Sequence, residues 1–414
     1  MSNDVTLTCT WGRAPVPASG SAQVVYLLTE IHAGGASKAV PLNFCLVLDR
    51  SGSMQGPKLV SMKEATKHVI DTLTPQDIVS IVMFDDQVET ILPATLATDK
   101  EAIKAQVDRI EEAGGTAMSG GLRSGQTELR KHYTLDRVSS LLLLTDGQTW
   151  GDEEHCRTIA KELKQEDVRI TAFGLGSEWN EKLLDDLAEI TDGISDYIAD
   201  PTKITTFFQR AVQTAQGTVA RDARLLLRLA RDVTPRVVHR ATPVIANLGY
   251  QPIGQSEIAV RIGDLESTSV GSVVVDLMVP PRVSGTFRIA QAELHYTPLG
   301  SESEHVIKQD VLLEFTSDEQ MAQYDPRVMN LVEKVTAFKL QTRALSEAEA
   351  GNITGATQKL RAAATRLLDL GELDLAQTAQ DQAEQLEQGE SMSAESQKEL
   401  RYATRRLTQK LDEV

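Results

Sequence analysis

The chain has 414 residues, of which 41% are hydrophobic and 24% are charged, a composition typical of a globular protein with two or three domains. Its 59 acidic and 42 basic residues give a formal net charge of −17, which disfavours nucleic acid and anionic lipid as partners, although such acidity also serves solubility. The three cysteines are too few for a disulfide framework.

Residues 1–40 begin without the basic and apolar regions of a signal peptide, and no apolar run in the chain approaches the roughly 20 residues of a membrane span. We therefore expect a cytoplasmic protein without membrane insertion. Apolar patterns at 5–11 and 22–32 predict two strands. Two strands are too few to form a stable sheet by themselves, so we expect them to pair with strands from later in the chain.

From 41 to 217, strand patterns alternate with helix patterns. A continuous apolar run at 42–48 and a largely apolar segment at 139–145 predict strands that are covered on both faces, and helical spacing follows each of them. Residues 77–84 predict another strand. A further strand at 88–92 is separated from its predecessor only by a short polar turn, which predicts a hairpin. This alternation predicts an α/β fold with a doubly wound, mostly parallel sheet and one antiparallel edge.

The remainder of the chain has two further patterns. Many short strands joined by Gly, Pro and Ser turns over 218–316 predict a β-sandwich. We expect residues 1–40 to complete this sandwich, so that the α/β domain at 41–217 is inserted into it. Residues 317–414 carry apolar side chains at helical spacing and predict an all-α C-terminal bundle.

Oxygen-bearing side chains follow the ends of predicted strands in three places, namely Asp49, Ser51 and Ser53, then Thr116, then Asp146. Because the carboxyl ends of parallel strands meet at one edge of a sheet, we expect these side chains to converge there. Hydroxyl and carboxylate oxygens suit a hard cation such as Mg²⁺. Because hydroxyl ligands are neutral, they do not compensate the positive charge of the ion, which can then attract a carboxylate from outside the chain. For any one such segment helix capping is the favoured explanation, but three segments in order favour a metal site.

The segments Asp-x-Ser-x-Ser (49–53), Gly-Gly-Thr (114–116) and Thr-Asp-Gly (145–147), in this order on alternating strands and helices, resemble the von Willebrand factor A domain. The resemblance covers about 42–216 and implies that the five side chains form a complete metal-ion-dependent adhesion site. It also implies Mg²⁺, Mn²⁺ or Ca²⁺ held partly through water, with an Asp or Glu of a protein partner completing the coordination. The flanking strands and C-terminal helices are similar to those of bacterial and inter-alpha-trypsin-inhibitor-like proteins with this domain.

We therefore expect a metal-dependent protein-interaction module and not an enzyme. A phosphatase of the haloacid-dehalogenase type needs a second Asp two residues after the first as its acid/base, and this chain has Ser51 there. The sequence contains no GxxxxGK[ST] segment, so it predicts no phosphate-binding loop for ATP. An adaptor or assembly subunit for an AAA+ ATPase is the alternative function, since some bacterial proteins resembling this chain act in that way.

Two tryptophans are expected at the same edge of the sheet as the predicted metal. Trp150 follows the Thr-Asp-Gly segment, and Trp179 follows the predicted strand at 168–175. Large aromatic side chains are frequent among binding hot spots, so we expect at least one of the two to contact the partner. A tryptophan folded beneath its own loop is an equally good reading of the pattern.

Overall fold

The computed structural model describes residues 5–34, 40–149, 151–390 and 392–409. The chain divides into two compact units. The first unit consists of Met1–Ala36, Ala220–Pro298 and Glu302–Val414, and the second, the α/β unit, consists of Ser37–Val219 and Leu299–Ser301. The α/β unit therefore interrupts the first unit along the sequence.

The N-terminal segment forms four strands, which are β1 Val5–Trp11, β2 Arg13–Ala14, β3 Val16–Pro17 and β4 Gln23–Ala33. In β1, the buried residues Val5 and Leu7 alternate with exposed threonines, so only one face of this strand is covered. Residues 27–31 of β4 are buried in succession, as expected for a strand inside a sheet. The two longer strands lie close to their predicted positions, whereas strands of two residues are too short to give a periodic signal.

The α/β unit alternates strands and helices as the sequence predicts. Its strands are β5 Leu42–Asp49, β6 Ile78–Phe84, β7 Val88–Leu96, β8 Val138–Thr145, β9 Arg169–Leu175 and β10 Ile194–Ile198. Its helices are α1 Pro57–Thr72, α2 Lys100–Asp108, α3 Met118–Arg130, α4 Glu153–Gln165, α5 Glu181–Ile190 and α6 Ile204–Gly217. The sheet order is β10-β9-β8-β5-β6-β7, and every pair is parallel except β6 with β7. The predicted mostly parallel sheet with one antiparallel edge is confirmed.

The centre of this sheet is closely packed on both faces. Every residue of β5, β6 and β8 is buried, because helices cover both faces of the sheet. Helix α3 approaches β5 through a glycine, since a Cβ on Gly125 would lie only 2.8 Å from Val47 Cγ2 and 3.1 Å from Leu141 Cδ1. This close approach brings the loop before α3 to the carboxyl end of β5, where the predicted site begins.

The chain after α6 returns to strands, which are β11 Thr218–Leu229, β12 Thr234–Thr242, β13 Ala246–Asn247, β14 Gln251–Gly254, β15 Glu257–Glu266, β16 Gly271–Val279, β17 Gly285–Pro298, β18 His305–Thr316 and β19 Gln323–Tyr324. They form two larger sheets, of order β1-β4-β16-β12-β13 and β14-β15-β11-β17-β18-β3, and β19 pairs with β2. Because β4 pairs with β16 and β3 with β18, the predicted pairing of the N-terminal strands with later strands is confirmed. The face-to-face packing of the two sheets as a sandwich stays a prediction.

The described residues from Pro326 onward are helical, as predicted, with α7 Pro326–Glu349, α8 Ile353–Asp369, α9 Leu373–Glu387 and α10 Ala394–Arg405. The prediction of helix from 317 is wrong at its start, because β19 lies there and pairs with β2. The Asp325 carboxylate caps α7 by accepting hydrogen bonds from the amides of Arg327 and Val328. Glycines with positive φ, Gly351 at 80° and Gly371 at 78°, end α7 and α8. Within the described residues, no helix combines the length and apolarity that a membrane span requires.

Candidate metal centre

Asp49 is the last residue of β5 and lies at the bottom of the candidate site. Its side chain is fully buried. One carboxylate oxygen, Oδ1, accepts the Ser51 amide at 2.8 Å, and the other, Oδ2, accepts the Thr145 hydroxyl at 2.6 Å. Because β5 pairs in parallel with β8, the two strands end side by side, and the Thr145 hydroxyl at the end of β8 can fix this carboxylate.

The two serines that follow Asp49 connect it to the end of β8. Ser51 Oγ and Ser53 Oγ lie 3.1 Å apart, and the Ser53 hydroxyl donates to Asp146 Oδ1 at 2.6 Å. Ser51 and Asp146 are buried, whereas Ser53 is exposed. The β5 loop and the β8 loop therefore meet through side-chain oxygens, with a buried floor and an exposed rim.

Thr116 reaches the same place because backbone hydrogen bonds hold its loop against the β5 loop. The Gly52 amide donates to the Gly114 carbonyl at 3.2 Å, and the Ala113 amide donates to the Arg50 carbonyl at 2.8 Å. On the other side, the Thr149 hydroxyl donates to the Thr116 carbonyl at 3.1 Å. The loop before α3 is thereby fixed between the loops that follow β5 and β8.

The oxygens of these three loops converge beside Gly147, which has no side chain to occupy the space. A Cβ at this position would lie 3.3 Å from Thr116 Oγ1, 3.9 Å from Ser53 Oγ and 4.0 Å from Asp49 Oδ2. The remaining two predicted side chains, Ser51 and Asp146, belong to the same cluster because both form hydrogen bonds with Ser53. The structure therefore brings all five predicted residues together, while their role as metal ligands stays a prediction.

The donor set fits a hard divalent cation. The five side chains offer hydroxyl and carboxylate oxygens, the ligands that Mg²⁺, Mn²⁺ and Ca²⁺ prefer, and no nitrogen or sulfur. Among the residues that the structure describes, no group of three or more His, Cys, Asp or Glu side chains is arranged to hold a metal ion. The cluster is therefore not a cage closed by acids of the chain itself, and it supplies only two carboxylates.

The charges at the site favour a cation. Burial raises the pKa of Asp49, and the nearby Asp146 carboxylate raises it further, although hydrogen bonds from Ser51 and Thr145 lower it. An ionised Asp49 therefore has an unfavourable free energy in the absence of a positive partner. A cation at this position would offset that unfavourable term.

Sequence reasoning missed Lys58, which is part of the same cluster. Its ammonium forms an ion pair with Asp146 Oδ2, while Asp146 Oδ1 accepts the Ser53 hydroxyl. The signal that could have identified it is its position near the start of α1, directly after the Asp-x-Ser-x-Ser segment and at the same edge of the sheet.

Other missed residues hold the loops in place. Arg50 donates from Nε to Asp85 at 2.5 Å and from Nη1 to Glu89 at 2.8 Å, which joins the β5 loop to the β6–β7 hairpin. The Asp152 carboxylate accepts the Thr149 hydroxyl and, at 2.8 Å, the Ser119 amide in the first turn of α3. Apart from the Thr149–Asp152 bond, which is local, these contacts join segments more than 30 residues apart, so local patterns do not reveal them.

The expectation that Trp179 contacts a partner is wrong. Its side chain is only 2% exposed, and its indole N–H donates to the Gly176 carbonyl at 2.7 Å. The indole covers Gly174 of β9 so closely that a Cβ there would lie 2.0 Å from the ring. The ring folds beneath its own loop because the glycine leaves a space that it fills. Trp150 lies outside the described residues, and its contact with a partner stays a prediction.

Comparison with known families identifies two parts of the chain. Residues 43–210 match the model of the von Willebrand factor type A domain, and residues 326–410 match the model of the Sll0103-like, C-terminal alpha-helical domain. These two segments are therefore similar to a von Willebrand factor type A domain and to an Sll0103-like helical domain, respectively. Domains of the first kind commonly bind a divalent metal at the metal-ion-dependent adhesion site.

Similar proteins match almost the whole chain. The uncharacterized protein sll0103 of Synechocystis sp. is 27% identical over 413 residues, which cover 98% of this chain and 97% of that protein. The structure of a von Willebrand factor type A protein from Catenulispora acidiphila has a TM-score of 0.78 at 18% identity, covering 97% of this chain and 96% of that one. The ArnB paralog VWA2 from Sulfolobus acidocaldarius has a TM-score of 0.57 at 14% identity, covering 98% and 99%. At these identities, the two structures show the fold alone.

Proposed function

We propose that this chain binds a protein partner through a divalent metal ion, in the first place Mg²⁺, held by Asp49, Ser51, Ser53, Thr116 and Asp146. The observation that carries the proposal is the convergence of oxygens from three separate loops around the space beside Gly147. The matched family supports it, because von Willebrand factor type A domains are typically metal-dependent protein-interaction modules.

The partner group that fits this site is an Asp or Glu side chain. Asp49 and Asp146 are the two carboxylates of the cluster, and the other three ligands are neutral hydroxyls. A divalent ion bound there would supply a positive centre that favours an oxygen anion from outside the chain. Ser53 is exposed and Thr116 is half-buried, so a side chain of the partner can approach from solvent.

We assign a binding role and no catalytic step to this site. Position 51, where a haloacid-dehalogenase-type phosphatase carries its acid/base, is a serine whose hydroxyl lies 3.1 Å from that of Ser53. Asp49 is fully buried, and both of its oxygens already accept hydrogen bonds. These features suit a carboxylate that holds a cation better than one that attacks a substrate.

The proposal is tested with Thr116→Ala and with Thr127→Ala as the matched control. Thr127 lies on the exposed side of α3, and its hydroxyl donates to the Arg123 carbonyl away from the cluster. Calorimetric titration of the purified, EDTA-treated chain with Mn²⁺ or Mg²⁺ measures metal affinity. Capture of partners on the immobilised chain, with Mg²⁺ or with EDTA, measures metal-dependent binding.

We expect Thr116→Ala to lose metal-dependent capture and most of its metal affinity, while its stability changes by no more than about 1 kcal/mol. Thr127→Ala should behave like the unmodified chain. Asp49→Ala should also abolish binding, but it removes the acceptor of two buried hydrogen bonds and is less diagnostic. Capture that persists in EDTA and in Thr116→Ala would contradict the proposal.

A further inference from the structure

Lys58 places an ammonium group inside the candidate metal centre. It lies in the first turn of α1, and its side chain is 31% exposed, whereas the Asp146 side chain that it contacts is 0% exposed. Its ammonium is bound to Asp146 Oδ2, the oxygen that does not accept the Ser53 hydroxyl. In this structure, both oxygens of Asp146 therefore have partners within the chain.

A buried carboxylate needs a positive or hydrogen-bonding partner, because an isolated buried charge is strongly destabilising. Lys58 supplies that partner without any metal. The ammonium also lies near the β9–α5 loop, since a Cβ on Gly176 would be 3.9 Å from Lys58 Nζ. Asp146 is thus paired within the chain in the absence of a divalent ion.

We propose that Lys58 is a resident cation of the metal centre, which neutralises Asp146 in the metal-free chain and competes with the divalent ion for this carboxylate. This inference rests on the proposed function. When a divalent ion binds, it shares Asp146 with the ammonium, and the two positive charges repel each other. At a separation of about 5 Å, such repulsion weakens ion binding by roughly tenfold or more even after strong screening.

The competition makes metal binding depend on the partner. With Lys58 in place, the ion binds weakly to the chain alone, because the two carboxylates of the cluster then have to compensate the charges of both the divalent ion and the ammonium. A carboxylate from the partner adds a negative charge that offsets both cations, so ion and partner strengthen each other's binding. Lys58 therefore sets how strongly the site is metal-loaded before a partner arrives.

The test compares Lys58→Met with Lys67→Met in the full chain. Lys67 lies on the same helix and forms ion pairs with the exposed carboxylates of Glu64 at 3.1 Å and Asp108 at 2.6 Å. Calorimetric titration with Mn²⁺ measures affinity, and thermal unfolding with EDTA or with Mn²⁺ measures stability. Lys58→Gln serves as a second variant, because it removes the charge and keeps a hydrogen-bond donor for Asp146.

We expect Lys58→Met and Lys58→Gln to bind Mn²⁺ about tenfold more tightly than the unmodified chain, by the repulsion given above. In EDTA, Lys58→Met should unfold at a lower temperature, because Asp146 loses its partner, and Mn²⁺ should raise that temperature by more than it does in the unmodified chain. Lys67→Met should change neither measurement.

Equal or weaker Mn²⁺ affinity in both Lys58 variants would overturn this inference and leave the proposed function standing. Such a result would mean that Lys58 only orients Asp146 for the ion. If the unmodified chain and all variants bind no Mn²⁺, the proposed function and this inference fail together. The titration of the unmodified chain therefore distinguishes the two failures.

Discussion

Gly147→Ala is the most direct probe of the space in which the metal is proposed to lie. The added methyl carbon would stand 3.3 Å from Thr116 Oγ1 and within 4.0 Å of Ser53 Oγ and Asp49 Oδ2. Gly147 is not among the glycines with positive φ, so alanine can adopt its backbone conformation. The substitution therefore changes the centre of the site without straining the chain.

The substitution is expected to change the folding stability little and the metal affinity strongly. Replacing Gly by Ala at a compatible position stabilises a protein by about 0.4–1 kcal/mol through the unfolded chain. The contact with Thr116 Oγ1 offsets this gain by about 1 kcal/mol, the lower end of the cost of overpacking, because the hydroxyl has to shift by only a small distance, so the net change in stability stays within about 1 kcal/mol. A metal ion requires its oxygen ligands at about 2.0–2.6 Å, and a methyl group among them displaces the ion or its bound water. We expect a loss of metal affinity of about tenfold or more, which corresponds to about 1.4 kcal/mol.

Calorimetry with Mn²⁺ and denaturant unfolding in EDTA measure the two effects on the same preparations. Gly52→Ala is the matched control in the same cluster of loops, because a Cβ there would meet only the Gly114 carbonyl oxygen, at 3.9 Å. Its metal affinity should remain within about twofold of the unmodified chain, because the added methyl group is close to none of the ligand oxygens and such small changes usually stay within about 0.5 kcal/mol. Unchanged Mn²⁺ affinity in Gly147→Ala, or an equal loss in both variants, would refute the placement of the metal beside Gly147.

Two further predictions concern residues outside the cluster. Burial, with the nearby charges of Lys339 and Arg343, lowers the pKa of His239 from 6.5 to about 4. Between these values the unfolded chain binds the extra proton, so stability should fall by at most about 3 kcal/mol as the pH drops from about 6.5 to 4. His239→Phe should remove this part of the pH dependence in unfolding experiments, and an unchanged pH profile would argue against a neutral buried imidazole. Trp179→Phe should destabilise the fold by about 1–3 kcal/mol, because it removes packing over Gly174 and the hydrogen bond to Gly176. Metal-dependent partner capture should persist in this variant, and its loss would restore Trp179 as a contact residue.

The central strands and the order of the site segments follow from local sequence patterns. Strands β5, β6 and β8 are mostly apolar, because strands covered on both faces bury nearly every side chain, and the few polar residues among them, such as Asn43 and Ser80, are buried as well. The hydroxyl and carboxylate residues come directly after such runs, and a parallel sheet gathers the ends of its strands at one edge. These two facts place Asp49 and Asp146 together without knowledge of any contact.

The contacts that complete the site are decided only by tertiary structure. The pairing of Lys58 with Asp146 and of Arg50 with Asp85 joins loops that are far apart in sequence, and no local pattern encodes such a pairing. The sequence left the burial of Trp179 open between two alternatives, because that burial depends on the space that Gly174 leaves on strand β9. Periodicity reports which face of an element is covered, whereas the partner of a polar or aromatic side chain is determined by the three-dimensional arrangement of loops. The sequence by itself therefore determined the elements and the ligand types, and the packing of the loops decided which charges and rings meet at the site.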